Sequence, residues 1–308
     1  MTSGTTAFRS GVVGIVGRPN VGKSTLLNAF LGRKLSIVTP KPQTTRNKIA
    51  GILHAADHQV VFLDTPGLHE PRDRLSQAMQ DMALSALQES DVLLYLVDAD
   101  LARKDAAHLG PGNEQVLENL KQAPCPILLT LNKVDLVSKE LLLPIMAAYR
   151  DRFPFASMVP VSATRKDGLD VLLAELLRHL PEGGMLFEGG ELTDRSLAFI
   201  ITEFVREKVF LKTRQEVPYS TAVGIETLQE RTGPKPLLHV SATIHVEKDS
   251  QKAILVGKGG SMIREIGSAA RMEIETYLGR KVFLELRVRV EKDWTRSDRG
   301  LKRVGFTP

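Results

Sequence analysis

The sequence predicts an α/β domain with a mostly parallel sheet and helices on both faces, followed by a smaller α+β domain. Three observations predict it. Short, wholly apolar runs alternate with helical patterns through the front half of the chain. Strict period-two alternation appears only in the back half. A stretch holding four glycines and a proline, Pro181 to Gly190, separates the two patterns.

In the front half, Val12–Val16, Val60–Leu63, Val92–Val97, Ile127–Leu131 and Met158–Val161 read as strands buried on both faces. Leu75–Ser90 and Asn113–Gln122 carry apolar residues at helical spacing and supply crossovers. In the back half, Leu197, Ile201, Phe204 and Val205 share one face of a helix. Leu237–Lys248 and Lys281–Glu291 alternate apolar with polar residues, as strands with one covered face do. Gln251–Val256 and Ser261–Leu278 read as helices flanking Gly257 to Gly260. The expected organisation is a first domain at 8–180, a linker at 181–192, and a second domain with a C-terminal tail at 193–308.

Composition narrows the class. The chain has 308 residues, 43% hydrophobic and 25% charged, which excludes wholesale disorder. No apolar run reaches the ~18 residues that cross a bilayer, and Met1–Ser10 has no apolar core of a secretory leader. The single cysteine, Cys125, makes neither an intrachain disulfide nor a thiolate metal cluster, and the seven histidines show no metal spacing. A cytoplasmic protein is expected. Charge is uneven: residues 1–192 hold 20 Lys+Arg against 21 Asp+Glu, and residues 193–308 hold 21 against 15. The basic back half is the candidate for meeting phosphate.

The strongest chemical signal is Gly17-Arg18-Pro19-Asn20-Val21-Gly22-Lys23-Ser24, directly after a predicted strand and opening the helix that runs through Thr25. Glycines there let backbone N–H groups turn inward around phosphate oxygens, and the helix N-terminus adds positive charge. Lys23 is placed to reach the β- and γ-phosphates and the Ser24 hydroxyl to ligate Mg²⁺. Asn132-Lys133-Val134-Asp135 follows another buried strand, at the end where such sheets bind ligands. The Asp135 carboxylate there accepts from guanine N1–H and the exocyclic amine, which adenine does not offer. Asn132 would buttress the loops and the Lys133 stem would lie over the base. Asp64-Thr65-Pro66-Gly67 closes a third strand, with Asp64 holding a Mg²⁺ water and the Gly67 N–H facing the γ-phosphate. Ser162 and Ala163 offer backbone N–H groups to guanine O6. Each of the last three strings is weak alone; their order along one chain makes them informative.

These motifs in this order, with Gln43-Thr44-Thr45-Arg46 between the first and second, resemble the translation-factor-related small GTPases. Val217–Ser220, Gln251–Gly260, Ile266–Arg271 and Trp294 resemble the Era GTPase family specifically, over nearly the whole chain. The resemblance implies a GTP-hydrolysing domain and a type II KH domain. It also implies binding to 16S ribosomal RNA near its 3′ end, a role in 30S ribosomal subunit maturation, and a monomer in the cytoplasm with some peripheral contact with the cell membrane. It assigns Gln43–Arg46 to switch I, with Thr45 favoured over Thr44 to complete the Mg²⁺ shell. Lys23, Thr45 and Gly67 are then the catalytic candidates. Ser36–Arg46 reads as a loop ordered only by the γ-phosphate. Leu68 stands where many small GTPases carry a water-orienting Gln, so slow intrinsic hydrolysis is expected. Asn20 resembles the K⁺-binding Asn of related GTPases.

In the KH reading, Gly257-Lys258-Gly259-Gly260 clamps the backbone of single-stranded RNA, with Lys252 and Arg264 as flanking phosphate contacts. Ile254, Ile263 and Ile244 are groove candidates that fit a core equally well, and Trp294 suits either base stacking or an anchor for the C-terminal segment with Leu301 and Phe306. The competing readings are a KH binding module with a structural nucleotide site, and a membrane-associated or tRNA-modifying GTPase.

Overall fold

A computed structural model of the chain describes residues 7–68, 70–103, 109–231 and 236–306; the histidines at 69 and 108 lie outside them. The chain divides into two compact units. One comprises Met1–Ser36, Thr45–Glu70 and Met79–Asp194, and the other Ile37–Thr44, Pro71–Ala78 and Arg195–Pro308.

The first unit is a six-stranded sheet in the order β2-β3-β1-β4-β5-β6. Its strands are β1 (Arg9–Gly17), β2 (Ile49–His54), β3 (His58–Asp64), β4 (Val92–Asp98), β5 (Ile127–Asn132) and β6 (Ser157–Pro160). All pairs are parallel except β2 with β3. The helices are α1 (Lys23–Leu31), α2 (Arg74–Glu89), the short α3 (Ala99–Ala102), α4 (Pro111–Leu120), α5 (Leu142–Arg150) and α6 (Leu169–His179). Every residue of β4 and of β5 is buried, which is why both read as continuous apolar runs. One core layer joins Tyr95, Leu129 and Leu131 to Val116 and Leu120 of α4 and to Ile145 and Tyr149 of α5.

The edge strand β2 has no sequence counterpart in the alternation above. Its IAGILH run carries a central glycine, which lowers strand propensity. That glycine has a packing reason: a Cβ on Gly51 would lie 2.6 Å from Leu27 Cδ1 and 2.8 Å from Leu31 Cδ1 of α1. Residues 181–192 run from the start of β1, where Ser10 N donates to Pro181 O (3.2 Å), past Gln59 of β3 to Ile52 of β2. Gln59 Oε1 accepts from Leu186 N (2.6 Å) and Phe187 N (3.0 Å), and Ile52 N donates to Leu192 O (2.9 Å).

The second unit carries a three-stranded sheet, β7 (Ala222–Arg231), β8 (Leu237–Val246) and β9 (Val282–Val290), in the order β7-β8-β9. β7 runs antiparallel to β8, and β9 runs parallel to it. Its helices are α7 (Leu197–Lys212), α8 (Asp249–Val256), α9 (Ser261–Leu278) and α10 (Asp298–Arg303). Val205 and Val209 of α7, Leu255 of α8, and Ile266 and Ala270 of α9 pack on Ile244 and Val246 of β8. β7 was invisible to a period-two reading because a bulge between Ile225 and Thr227 shifts its register midway. Trp294 is fully buried and donates from Nε1 to Ser220 O (3.0 Å), with Leu301 and Phe306 buried as well. The anchor alternative is the one this geometry fits.

The stretch 36–46 corrects an expectation. Protein contacts, not the γ-phosphate alone, hold it. Val38 N donates to Glu207 Oε1 (3.1 Å), and Lys41 Nζ donates to the carbonyls of Phe210 and Thr213 at the end of α7. Thr44 Oγ1 bonds Thr39 Oγ1 (2.6 Å).

Candidate nucleotide and nucleic-acid sites

The glycine-rich turn Gly17–Gly22 leaves the C-terminal end of β1 where its neighbours β3 and β4 diverge, the usual ligand crevice of such sheets. Gly17 and Gly22 have φ of 150° and 102°, and an added Cβ would sit 2.5 Å from Leu96 O at the first and 2.3 Å from Asn132 Nδ2 at the second. Only glycine lets this loop close against its neighbours. α1 starts at Lys23 with no side-chain cap, so its first N–H groups are open to an anion. Thr25 lies in that first turn.

Lys23 is buried and donates to Gly17 O (3.2 Å) and Arg18 O (3.0 Å). Burial pushes its ammonium down to about 8, against the pull of Asp64. Asp64 has no exposed surface; its Oδ2 accepts from Ser24 Oγ (2.6 Å) and Ser36 Oγ (2.7 Å). Burial raises its carboxyl, with the Ser24 bond, the Lys23 charge, and the Ser36 and Thr45 hydroxyls opposing. Ser24 Oγ also lies 2.8 Å from Thr45 Oγ1. Thr45 rather than Thr44 therefore joins this cluster. Thr65 is buried and donates to Ile15 O (2.9 Å), while Gly67 packs so tightly on Pro19 that a Cβ would meet Pro19 N at 2.7 Å. Leu68, after Pro66 and Gly67, is buried with its N donating to Gly17 O (3.3 Å). Its side chain presents no group that could orient a water.

At the other end of the crevice, Asn132 ties two loops together. Its Nδ2 donates to Val21 O (2.8 Å), and its Oδ1 accepts from Ala163 N (3.0 Å). Asp135 Oδ1 accepts from Ser162 Oγ (2.7 Å), with Arg165 3.8 Å from the other oxygen. Lys133 Nζ bridges Asp98 Oδ2 (2.6 Å) and Asn20 O (2.8 Å), so its stem straps this loop to the phosphate loop. Both Asn20 and Lys133 are left-handed, with φ of 65° and 63°. Sequence reasoning missed Asp98, whose signal was its place as the polar residue ending an apolar strand. Gln43 is left-handed with φ of 58°, and Arg46 is buried.

The second unit holds a different glycine loop. Gly257, Gly259 and Gly260 all have positive φ, and Gly260 caps the 18-residue helix α9. A Cβ on Gly257 would lie 2.8 Å from Met262 N, whereas at Gly259 it would meet nothing within 4 Å. Lys252 and Lys258 are exposed. Arg264 donates from Nε to Gly260 O (3.1 Å) and from Nη2 to Gly259 O, folding back over the loop. Beside it runs a groove of about 240 Å³ lined by Ile263, Arg264, Gly267, Ser268 and Arg271 of α9 and by Leu284 and Leu286 of β9. Of the three isoleucine candidates, only Ile263 lines it. Ile244 is core, and Ile254 is 45% exposed away from the lining. Arg271, Leu284 and Leu286 were missed; their signal was the inward register of β9 opposite α9. An apolar floor between two arginines suits bases below and phosphates above.

Among the described residues, no group of three His, Cys, Asp or Glu could hold a metal ion, and no helix is long and apolar enough to cross a membrane.

A family profile described as "50S ribosome-binding GTPase" matches residues 12–133, and a KH-domain profile matches 216–295. GTPase Era of Geobacter metallireducens is 50% identical over 300 residues, covering 97% of this chain and 98% of that protein. GTPase Era of Syntrophus aciditrophicus is 46% identical over 299 residues, covering 97% and 95%. A crystal structure of Era in complex with MgGDPNP and nucleotides 1506-1542 of 16S ribosomal RNA is similar at a TM-score of 0.92 and 38% identity, covering 98% of this chain and 100% of that one. A variant of Aquifex aeolicus Era bound to GDP and AlF4⁻ matches equally well, again at a TM-score of 0.92. With both loops in place and relatives of this identity along almost its full length, the chain belongs to the GTPase Era family.

Proposed function

We propose that this chain is a GTP-hydrolysing switch that binds 16S ribosomal RNA near its 3′ end and acts in assembly of the 30S subunit, as a cytoplasmic monomer. The observation that carries this reading is the pairing, in one chain, of a built phosphate loop with a basic, apolar-floored groove beside a glycine loop. The relative crystallised with a guanine nucleotide and a 16S fragment supports it. In this reading residues 8–180 hold the nucleotide and 193–308 the RNA; peripheral membrane contact rests on family resemblance alone.

The nucleotide roles in this reading are supported by the hydrogen bonds of the crevice. Gly17 to Thr25 cradle the phosphates, Asp135 with Ser162 reads guanine, and Asn132 with Ala163 fixes the loop between them. The cluster of Ser24, Thr45 and Asp64 fits Mg²⁺: Asp64 Oδ1 is buried with no hydrogen-bond partner among the described residues, a site for the water shell of a cation. Ser24 and Thr45 would hold the ion directly and Asp64 through water. When bound, the ion would neutralise negative charge on the phosphates as it develops. Hydrolysis adds water to the γ-phosphorus and breaks its bond to the bridging oxygen, which keeps the electron pair, so that GDP and inorganic phosphate, with the water proton, are released. In this reading Lys23 and the Gly67 N–H stabilise charge on the transferring group. The buried Leu68 leaves the attacking water without a side-chain partner, which makes the intrinsic rate slow. Asn20, held left-handed in the loop, is the residue for K⁺; equal rates in K⁺ and Na⁺ buffers would overturn that role.

Crosslinking in cells followed by sequencing of the bound RNA tests the whole reading. Reads concentrated at the 3′ end of 16S ribosomal RNA are expected; reads concentrated elsewhere contradict it. RNA affinity identical with GTP, with GDP and with no nucleotide would return the protein to a binding module with a structural nucleotide site.

A further inference from the structure

Two serine hydroxyls, Ser24 and Ser36, donate to Asp64 Oδ2, and the proposed metal cluster uses only Ser24. Ser24 is the phosphate-loop hydroxyl. The other, Ser36, has no exposed surface and donates to the same Oδ2 at 2.7 Å. Its placement is built rather than incidental. Asn28 of α1 accepts on Oδ1 from Leu35 N (2.8 Å) and Ser36 N (2.9 Å), and donates from Nδ2 to Ser36 O (2.7 Å). One side chain thus satisfies the backbone of Ser36 on both sides, leaving its hydroxyl to face the carboxylate. With Oδ2 saturated by two donors, the carboxylate cannot rotate without breaking both bonds. Its free lobe, Oδ1, is fixed in place.

We propose that Ser36 is a positioning residue of the Mg²⁺ site: it locks the Asp64 carboxylate so that Oδ1 is presented to the water shell of the ion. The proposal rests on the reading of Ser24, Thr45 and Asp64 as the metal cluster. It also explains a feature of the chain path. Ser36 is the last residue of the first unit before Ile37–Thr44, and Thr45 is the residue at which the chain returns. Both hydroxyls belong to one cluster with Ser24 and Asp64.

The test is release of a fluorescent GDP analogue from the full chain, titrated with Mg²⁺ and repeated in EDTA, for wild type, Ser36→Ala and Ser36→Thr. Wild-type release slows as Mg²⁺ rises. Ser36→Ala needs roughly tenfold more Mg²⁺ for the same slowing, the scale of one hydrogen bond to a charged group. Its release in EDTA is unchanged, and Ser36→Thr restores the wild-type midpoint. An unshifted midpoint in Ser36→Ala overturns the proposal. So does faster release by the same factor with and without Mg²⁺, which is what a merely structural hydroxyl would give. If wild-type release ignores Mg²⁺ altogether, the metal cluster itself is misread and the proposal falls with it.

Discussion

The phosphate loop and the KH loop use the same device, glycines with positive φ running into a helix N-terminus that has no side-chain cap, yet they differ in burial. Around Gly17–Ser24 the lysine is buried, the carboxylate behind it has no exposed surface, and a Cβ at either Gly17 or Gly22 would collide with its neighbours. Around Gly257–Gly260 the lysine is exposed, and a Cβ at Gly259 meets open space. The enclosed loop fits a compact anion of fixed size, whose every oxygen can be met by a preset donor. The open loop fits a polymer that must enter and leave along its length. Burial, more than the glycine spacing, separates a nucleotide site from an RNA clamp.

The largest effect that would break this contrast is at the enclosed site. Asp135→Asn should exchange GTP for XTP preference by about 10⁴-fold, because xanthine accepts at C2 where guanine donates; competition binding with both nucleotides measures it. Next, Gly259 and Gly260 replaced together by Asp should cost RNA affinity on the order of 100-fold, by repelling phosphate at the helix N-terminus. GDP affinity of the same variant should not change, which nucleotide titration checks.

Smaller effects sharpen the contrast. Lys23 sits at about 8 when no phosphate pairs with it, and a bound phosphate raises it. Its contribution to GDP binding is therefore complete below pH 8 and is lost as pH rises past it, by at most about tenfold per pH unit. A profile flat from pH 7 to about 9 would contradict the buried ammonium. Arg271→Ala should weaken RNA binding about tenfold and reduce the salt slope by about one. The mildest is Gly267→Ala, whose Cβ would lie 3.4 Å from Leu286 Cδ1 at the groove floor, giving a few-fold loss of RNA affinity in the same assay.

How much of this was legible in the sequence follows the same division. β4 and β5 were legible because full burial writes them as apolar runs, and α9 because its face repeats cleanly from Ser261 to Leu278; β6 was expected to be buried on both faces, yet only Val159 of Ser157–Pro160 is buried. The phosphate loop, Asp64 and Asn132–Asp135 were legible because each sits at a strand end. β2 and β7 were not, since Gly51 and the Ile225/Thr227 bulge erase the alternation that marks a strand. Ser36 and Asp98 were missed for a different reason: their roles come from partners 28 and 35 residues away, Asp64 and Lys133. Leu284 and Leu286 looked like ordinary core, but they line an open groove with Ile263 and Arg271 of α9.

The most direct measurement titrates the purified full chain with GDP and, separately, with a single-stranded RNA copying the 3′ end of 16S ribosomal RNA, for wild type, Asp135→Asn and the Gly259/Gly260 double variant. A double dissociation is expected: Asp135→Asn loses GDP and keeps RNA, while the glycine variant loses RNA and keeps GDP. Loss of both ligands in either well-folded variant, or wild type that binds neither, would contradict two separate glycine-loop sites.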